Sequence, residues 1–103
     1  MMGLDYDDVY NWVKVSKLVS NRVSIVNQLH GCQYERNCSN PCRMTWDAGE
    51  YTVTYCGDAL ASYRAYDYDG ALLAFQRVDA LACALWSARR CGYASLSPVG
   101  CMT

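Results

Sequence analysis

The chain has 103 residues, of which 52% are hydrophobic, 18% are charged and only two are proline, so a disordered or collagen-like chain is excluded. Nine basic and ten acidic residues give a net charge of -1, which leaves no broad cationic field for a nucleic-acid backbone or an anionic membrane. The length suits one domain and is too short for two separate cores, so we expect a single domain over residues 1–103 without a nucleic-acid partner.

Seven cysteines are a large number for a chain of this size. Disulfides supplement small cores in oxidising compartments, so the composition predicts a secreted, extracellular protein. Asp5, Asp7 and Asp8 stand where a signal peptide would carry positive charge, and we therefore expect a mature form. Because no uninterrupted apolar run approaches the roughly 20 residues that span a bilayer, the sequence also predicts a soluble chain.

The first predicted element is an N-terminal helix in residues 1–21, running from Leu4 to Ser20. Its apolar residues recur near helical spacing, acidic residues fill its first turn, and Asn21 is a suitable left-handed terminator. The next segment, Arg22–Leu29, alternates apolar and polar residues and is predicted to be a strand. It begins the core of the domain, residues 22–103.

Two paired strands are predicted in the middle of the chain. Residues Cys32–Cys42 have a turn-forming composition and need cross-links to hold their place. Asp47–Gly49 is typical of a hairpin turn between a short run at Arg43–Trp46 and the alternating strand Glu50–Cys56.

Two helices are predicted in the last part of the chain. Asp58 is a candidate cap for a helix over Ala59–Tyr66, which the turn Asp67–Gly70 would end. A second helix is predicted over Ala71–Arg90, where apolar residues recur at three- and four-residue steps. The tail Tyr93–Thr103 is expected to be extended and tied back by a disulfide at its last cysteine.

Together these elements predict an α+β fold, a small disulfide-stapled two-layer sandwich. Its antiparallel sheet would be covered on one face by the two helices between Ala59 and Arg90. The N-terminal helix would lie at an edge of the sheet or on its remaining face.

The cysteines and the elements between them form a pattern: Cys32-x5-Cys38-x3-Cys42, a hairpin, Cys56-Gly57-Asp58, two helices and Cys91-x9-Cys101. It resembles the virus-encoded two-subunit killer toxin of smut fungi, chiefly its α subunit, and the killer-toxin-like small secreted effectors of plant-pathogenic fungi. The most specific element is the junction of a strand with Cys56-Gly57-Asp58-x-Leu60. The resemblance covers the chain from Cys32 to Cys101.

The resemblance also implies a set of disulfides. Two cysteines of the family pattern are absent here, where the chain has Met44 and Leu72-Leu73 instead. If those two would have been partners, six cysteines remain for three bridges, with their pairing left open: Cys32, Cys38, Cys42, Cys56, Cys91 and Cys101. Cys83 is then the odd residue, either a free thiol or an intermolecular bridge that would give a disulfide-linked dimer. The helical wheel also sets Cys83 opposite the apolar stripe of its helix.

By resemblance, the function expected is that of a protein acting by binding, as an antifungal toxin or as an effector delivered to a plant host. Its target would be a protein or a cell surface in the host or competitor. Aromatic and arginine side chains supply rigid contact area, so a candidate partner surface comprises Tyr63, Arg64, Tyr66 and Tyr68, with core packing as the rival explanation. Ala71–Trp86 offers a less favoured membrane contact.

No set of residues has the spacing that a reaction or a metal would need. His30 and the nearby cysteines lack the Cys-x2-Cys spacing of zinc sites, and Asp67–Gly70 lacks the closing glutamate of a calcium loop. We therefore predict no enzymatic activity, no metal and no cofactor. Two alternatives stay open: a small secreted hydrolase or nuclease, which needs a cleft around His30 or a carboxylate pair, and a protease inhibitor presenting the Cys32–Cys42 loop.

Overall fold

The computed structural model describes residues 6–31 and 40–93. In chain order its elements are α1 (Tyr6–Leu29), β1 (Cys42–Asp47), β2 (Glu50–Tyr55), β3 (Asp58–Arg64) and α2 (Tyr68–Tyr93). The strands form one antiparallel sheet in the order β1-β2-β3. The predicted α+β class is therefore confirmed. The predicted tail beyond Tyr93 and most of the predicted Cys32–Cys42 loop lie outside the described residues.

Helix α1 is longer than predicted and continues without a break to Leu29. The predicted strand Arg22–Leu29 and the predicted end at Asn21 are both wrong. The buried residues of this helix recur at three- and four-residue steps: Val15, Val19, Val23, Val26 and Leu29. Valine loses rotamer freedom in a helix, at a cost of a few tenths of a kcal/mol each. Burying a valine contributes about 1.5 kcal/mol or more, so packing overrides the local preference.

The hairpin of β1 and β2 is present as predicted, with Cys42 opposite Tyr55 and Asp47 opposite Glu50. Its two-residue turn, Ala48-Gly49, has φ angles of 51° and 85°. Two successive positive φ angles are the mark of the type I′ turn, whose twist matches that of the flanking strands.

Strand β3 stands where a helix over Ala59–Tyr66 was predicted, and that prediction is wrong. Cys56 and Gly57 have φ angles of 53° and 89° and form a second two-residue turn of the same kind. The turn pairs Tyr55 with Asp58 and directs the following residues back along β2. Pairing with β2 and burial of one face therefore outweigh the helix propensity of the alanines and leucine in this segment.

A bulge in β3 adjusts the register of the sheet. Val53 pairs with Ala61 and Thr54 with Ala59, so Leu60 has no partner on β2. Its carbonyl instead accepts a hydrogen bond from Nη1 of Arg77 on α2, at 3.0 Å. The irregular point of the sheet is thus tied to a helix.

Helix α2 begins at Tyr68, so Asp67–Gly70 opens a helix instead of ending one. The backbone N–H of Gly70 donates to Oδ1 of Asp67 at 3.0 Å, which is the geometry of an N-cap. A side chain at Gly70 would meet the Cβ of Tyr63 at 2.7 Å. Close approach of α2 to β3 therefore requires a glycine in the first turn.

Both helices cover the same face of the sheet. The core combines the buried stripe of α1 with residues of the three strands and of α2: Cys42, Val53, Tyr63, Ala71, Ala74, Val78 and Ala82. The helices run in the same direction, because Trp12 contacts Tyr66 just before α2 and Arg22 contacts Asp79 farther along. The described residues form a two-layer sandwich with two helices, where three were predicted.

One ion pair links the two helices across the edge of the core. Nε of Arg22 donates to Oδ1 of Asp79, and the two side chains are 11% and 23% exposed. The guanidinium of Arg22 also lies 5.6 Å from the ring centroid of Phe75. A guanidinium held between a carboxylate and an aromatic face fixes the lateral position of one helix on the other.

We expect Asp67→Ala to lower the free energy of unfolding by about 1 kcal/mol, because the first turn of α2 loses its cap. Asp67→Ser is the matched control, since its hydroxyl can accept the same hydrogen bond, and it should lose much less. Urea denaturation of the two variants measures the difference. Equal losses in both would show that Asp67 does not act as a cap.

We expect Arg22→Met to lower stability by about 2 kcal/mol or more, because Asp79 is then left partly buried without its cation. The double variant Arg22→Met/Asp79→Asn should lose less than the sum of the two single changes. Arg43→Met, at an exposed position of β1, is the control for removing an arginine from the surface. A strictly additive double-mutant cycle in urea denaturation would contradict the coupling.

Candidate binding surface

Four aromatic rings form a row at one end of the sandwich, which we call the aromatic shelf: Trp46, Tyr51, Trp12 and Tyr66. Ring centroids are 4.8 Å apart for Trp46 and Tyr51, 6.3 Å for Tyr51 and Trp12, and 5.3 Å for Trp12 and Tyr66. These separations are typical of favourable aromatic pairs. The shelf joins the turn end of the β1–β2 hairpin to the first part of α1 and to the residues just before α2.

The outer rings of the shelf are open to solvent. Trp46 is 55% exposed and Tyr66 is 56% exposed, whereas Trp12 and Tyr51 between them are half-buried. Trp46 lies on the helix-facing side of β1, opposite Tyr51 in the register. It is exposed because it lies near the end of the strand.

Tyr63 supports the shelf from below. It is buried, and its ring stacks on Tyr51 with centroids 5.2 Å apart. Its hydroxyl donates to the sulfur of Met44 at 3.6 Å. Burial raises the pKa of Tyr63. The partner surface predicted at this residue is therefore wrong, because the ring belongs to the core.

Tyr66 holds its exposed position through an unfavourable backbone conformation. Its φ angle is 66°, in the left-handed region that side chains other than glycine and asparagine rarely adopt. It is the third residue of a turn in which the N–H of Asp67 donates to the carbonyl of Arg64 at 3.0 Å. Glycine or asparagine is usual at this place of such a turn. The chain therefore keeps a tyrosine here at a cost of about 1–2 kcal/mol.

The four predicted surface residues separate in the structure. Tyr66 belongs to the shelf, and Tyr63 is buried beneath it. Arg64 is exposed on the solvent face of β3, and Tyr68, 37% exposed, begins α2. Trp46 and Tyr51 are not among the predicted surface residues, although the predicted hairpin already sets them opposite each other near its turn.

Two cysteines expected in disulfides are free thiols in the structure. Cys42 is buried at the start of β1, where its N–H donates to Oδ1 of Asn27, and Cys56 is exposed in the turn between β2 and β3. Cys83 is disulfide-bonded, so its prediction as the odd thiol or as an intermolecular bridge is wrong. The side chain of Cys91, and all of Cys32, Cys38 and Cys101, lie outside the described part of the chain.

The Cys42 thiol is held in its protonated form. Burial raises its pKa from the ordinary 9.0 to about 11, and the nearby Cys56 adds to the rise. Thiolate is the reactive species, so Cys42 is suited to packing and unsuited to nucleophilic chemistry at neutral pH.

His30 lies at the far end of α1 from the shelf. Its ring meets the edge of Tyr55, with centroids 6.0 Å apart. Within residues 6–31 and 40–93, no three His, Cys, Asp or Glu side chains form a group that could hold a metal ion. Asp79, the carboxylate closest to the core, is bound to Arg22.

One helix meets the length and composition criterion for a membrane span. The stretch Tyr68–Ala88 of α2 has a hydropathy of 1.2, and 22% of it is buried inside the fold. Asp69, Arg77 and Asp79 interrupt this stretch, so it is not an uninterrupted apolar run, and the expectation of a soluble chain stays a prediction. A core helix of a soluble protein passes the same test, and α2 buries one face, including Ala74 and Val78, against α1 and the sheet.

We expect stability to fall as the pH rises from about 9 to about 11. The unfolded chain releases the Cys42 proton in that interval, whereas the folded chain retains it. The free energy of unfolding therefore falls by about 2–3 kcal/mol. Cys42→Ala should remove most of this loss, and the raised pKa of the buried Tyr63 remains in the variant. Urea denaturation across this pH range measures both. Identical pH profiles for the variant and the parent would contradict the assignment.

The comparisons give this chain no relative. No family model matches it, and neither does any curated protein or solved structure. Inferences about the aromatic shelf therefore rest on the positions and exposure of its four rings.

Proposed function

We propose that the protein acts by binding a macromolecular partner through the aromatic shelf, as a secreted toxin-like or effector-like protein. The observation that carries the binding function is the exposure of Trp46 and Tyr66 at the two ends of a continuous row of rings. Tryptophan and tyrosine dominate the residues that supply most binding energy at protein interfaces.

The size of the shelf suits an anchor within a larger contact. An aromatic side chain buries 150–250 Å² in full, so the two half-exposed rings offer roughly 200 Å² together. A stable interface needs about 800 Å² from each partner. The shelf would thus supply the central contact, and the surrounding polar residues would complete the surface.

The backbone of Tyr66 gives independent support for a binding role. A residue in a sparsely populated backbone conformation lowers the stability of the fold. Such residues are concentrated at functional sites. Asparagine or glycine would relieve the strain at Tyr66 and would abolish its ring. Retention of the tyrosine is what a contact residue requires.

The toxin or effector role rests on the cysteine-rich composition and on the resemblance of the cysteine pattern. Cys56-Gly57 forms a turn between two strands here, whereas the killer-toxin pattern implies a junction of strand and helix. The shelf therefore carries the binding part of the proposal. The biological role needs its own assay.

We expect Trp46→Ala and Tyr66→Asn to reduce activity at least about fivefold, in growth inhibition of fungal lawns or in the response of infiltrated leaves. Tyr66→Asn should at the same time keep or raise thermal stability, because asparagine tolerates the left-handed conformation. Leu73→Ala is the matched control, since Leu73 is an exposed apolar residue of α2 that is not one of the four shelf rings.

Activity on lawns would identify a toxin, and a response in leaves alone would identify an effector. Unchanged activity of both shelf variants, or an equal loss in Leu73→Ala, would contradict the proposed binding surface. A parent protein silent in both assays would contradict the toxin and effector roles.

A further inference from the structure

On the basis of the proposed binding function, we propose that the aromatic shelf takes a lysine- or arginine-bearing segment of a partner protein. The shelf alone specifies an apolar contact. The charges beside it indicate whether the partner segment should be positively or negatively charged.

Acidic residues lie beside the shelf in the chain. Asp47 follows Trp46, Glu50 precedes Tyr51, Asp67 follows Tyr66, and Asp69 lies in the first turn of α2. Two basic residues lie as near to the shelf in the chain: Arg64, two residues before Tyr66, and Lys14, two residues after Trp12. Four carboxylates against two basic residues make this end more acidic than the chain as a whole, whose charge is nearly balanced.

Not all of these charges are equally available. Asp67 accepts the N–H of Gly70, and both Asp67 and Asp69 lie at the positive end of the α2 dipole. Glu50 lies opposite Arg64 in the strand register. Asp47 and Glu50 are exposed, and no ion pair within 4.0 Å involves them among the residues that the structure describes. These two carboxylates are the most available to an incoming cation.

The carboxylates and the rings would act at different ranges. Alternation along the strands puts Asp47 and Glu50 on the solvent face of the sheet and Trp46 on the helix-facing side. The carboxylates therefore attract a cation over a distance within about 10 Å at moderate salt. The rings make the contact, because the negative face of tryptophan or tyrosine attracts a guanidinium or ammonium group.

Charge also argues against two other occupants. Asp47 and Glu50 together form what we call the acidic rim of the shelf. A phosphocholine headgroup carries a phosphate beside its ammonium, and the acidic rim would repel that phosphate. A second copy docked symmetrically by this end would bring its own carboxylates against the same rim. A basic peptide segment satisfies both the rings and the rim.

The probe is a short synthetic peptide in which arginines alternate with glycine and serine. The matched peptide has glutamine in place of each arginine. Isothermal titration of the full chain, at ionic strengths of about 0.01 M and about 1 M, compares the two. We expect the arginine peptide to bind at low salt and the glutamine peptide to bind at least about fivefold more weakly.

The variants separate the rings from the rim. Trp46→Ala should weaken arginine-peptide binding about 2- to 5-fold, as expected for an exposed cation–π contact. The double variant Asp47→Asn/Glu50→Gln should weaken it at low salt and flatten the salt dependence. The controls Asp58→Asn, at the start of β3 and the other end of the sheet from the Ala48-Gly49 turn, and Leu73→Ala should bind like the parent.

Three results would overturn the inference: equal binding of both peptides, an unchanged affinity in the double acid variant, or an equal loss in Asp58→Asn. Preferential binding of phosphatidylcholine vesicles would overturn it too. If the inference fails while Trp46→Ala still loses activity on lawns or leaves, the proposed function stands and the partner has another chemistry. If Trp46→Ala keeps full activity there, the proposed function itself fails.

Discussion

Register in the three-stranded sheet is the constraint on which the rest of this fold depends. The turns at Ala48-Gly49 and Cys56-Gly57 each use two residues with positive φ, and this tight geometry fixes which residues face the helices. A slip of one residue would exchange Val53 and its neighbours with the threonines of the solvent face. The same register sets Trp46 over Tyr51, so the core and the aromatic shelf have a common origin.

The hairpin and the core helix α2 could be predicted from the sequence because their signals are local. Alternation of Glu50–Tyr55 beside an Ala-Gly turn indicates a hairpin, and the apolar spacing around Val78 indicates a helix. The second half of α1 and all of β3 could not be predicted this way. The valines of α1 favour a strand and the alanines of β3 favour a helix, so local preference predicts the wrong structure in both segments. Packing against distant elements decides whether each segment becomes a helix or a strand.

The candidate site was predicted in part, for the same reason. Tyr66 was chosen as a surface residue, but Tyr63 was grouped with it because a helix was expected where β3 lies. In a strand, Tyr63 alternates with exposed neighbours and enters the core. The cysteine pattern was a poorer guide, because spacing along the chain does not tell which side chains meet. Cys42 is buried among apolar residues, and Cys56 is exposed in a tight turn.

The contact between Arg22 and Asp79 joins residues 57 positions apart. Local hairpins form quickly. A contact between residues far apart in sequence forms more slowly, because closing the long loop between them costs chain entropy. During synthesis, α1 leaves the ribosome before every element that covers its valine stripe. Strand β1 can cover only the end of that stripe near Asn27, so much of the apolar face of α1 stays exposed to solvent until α2 has been made.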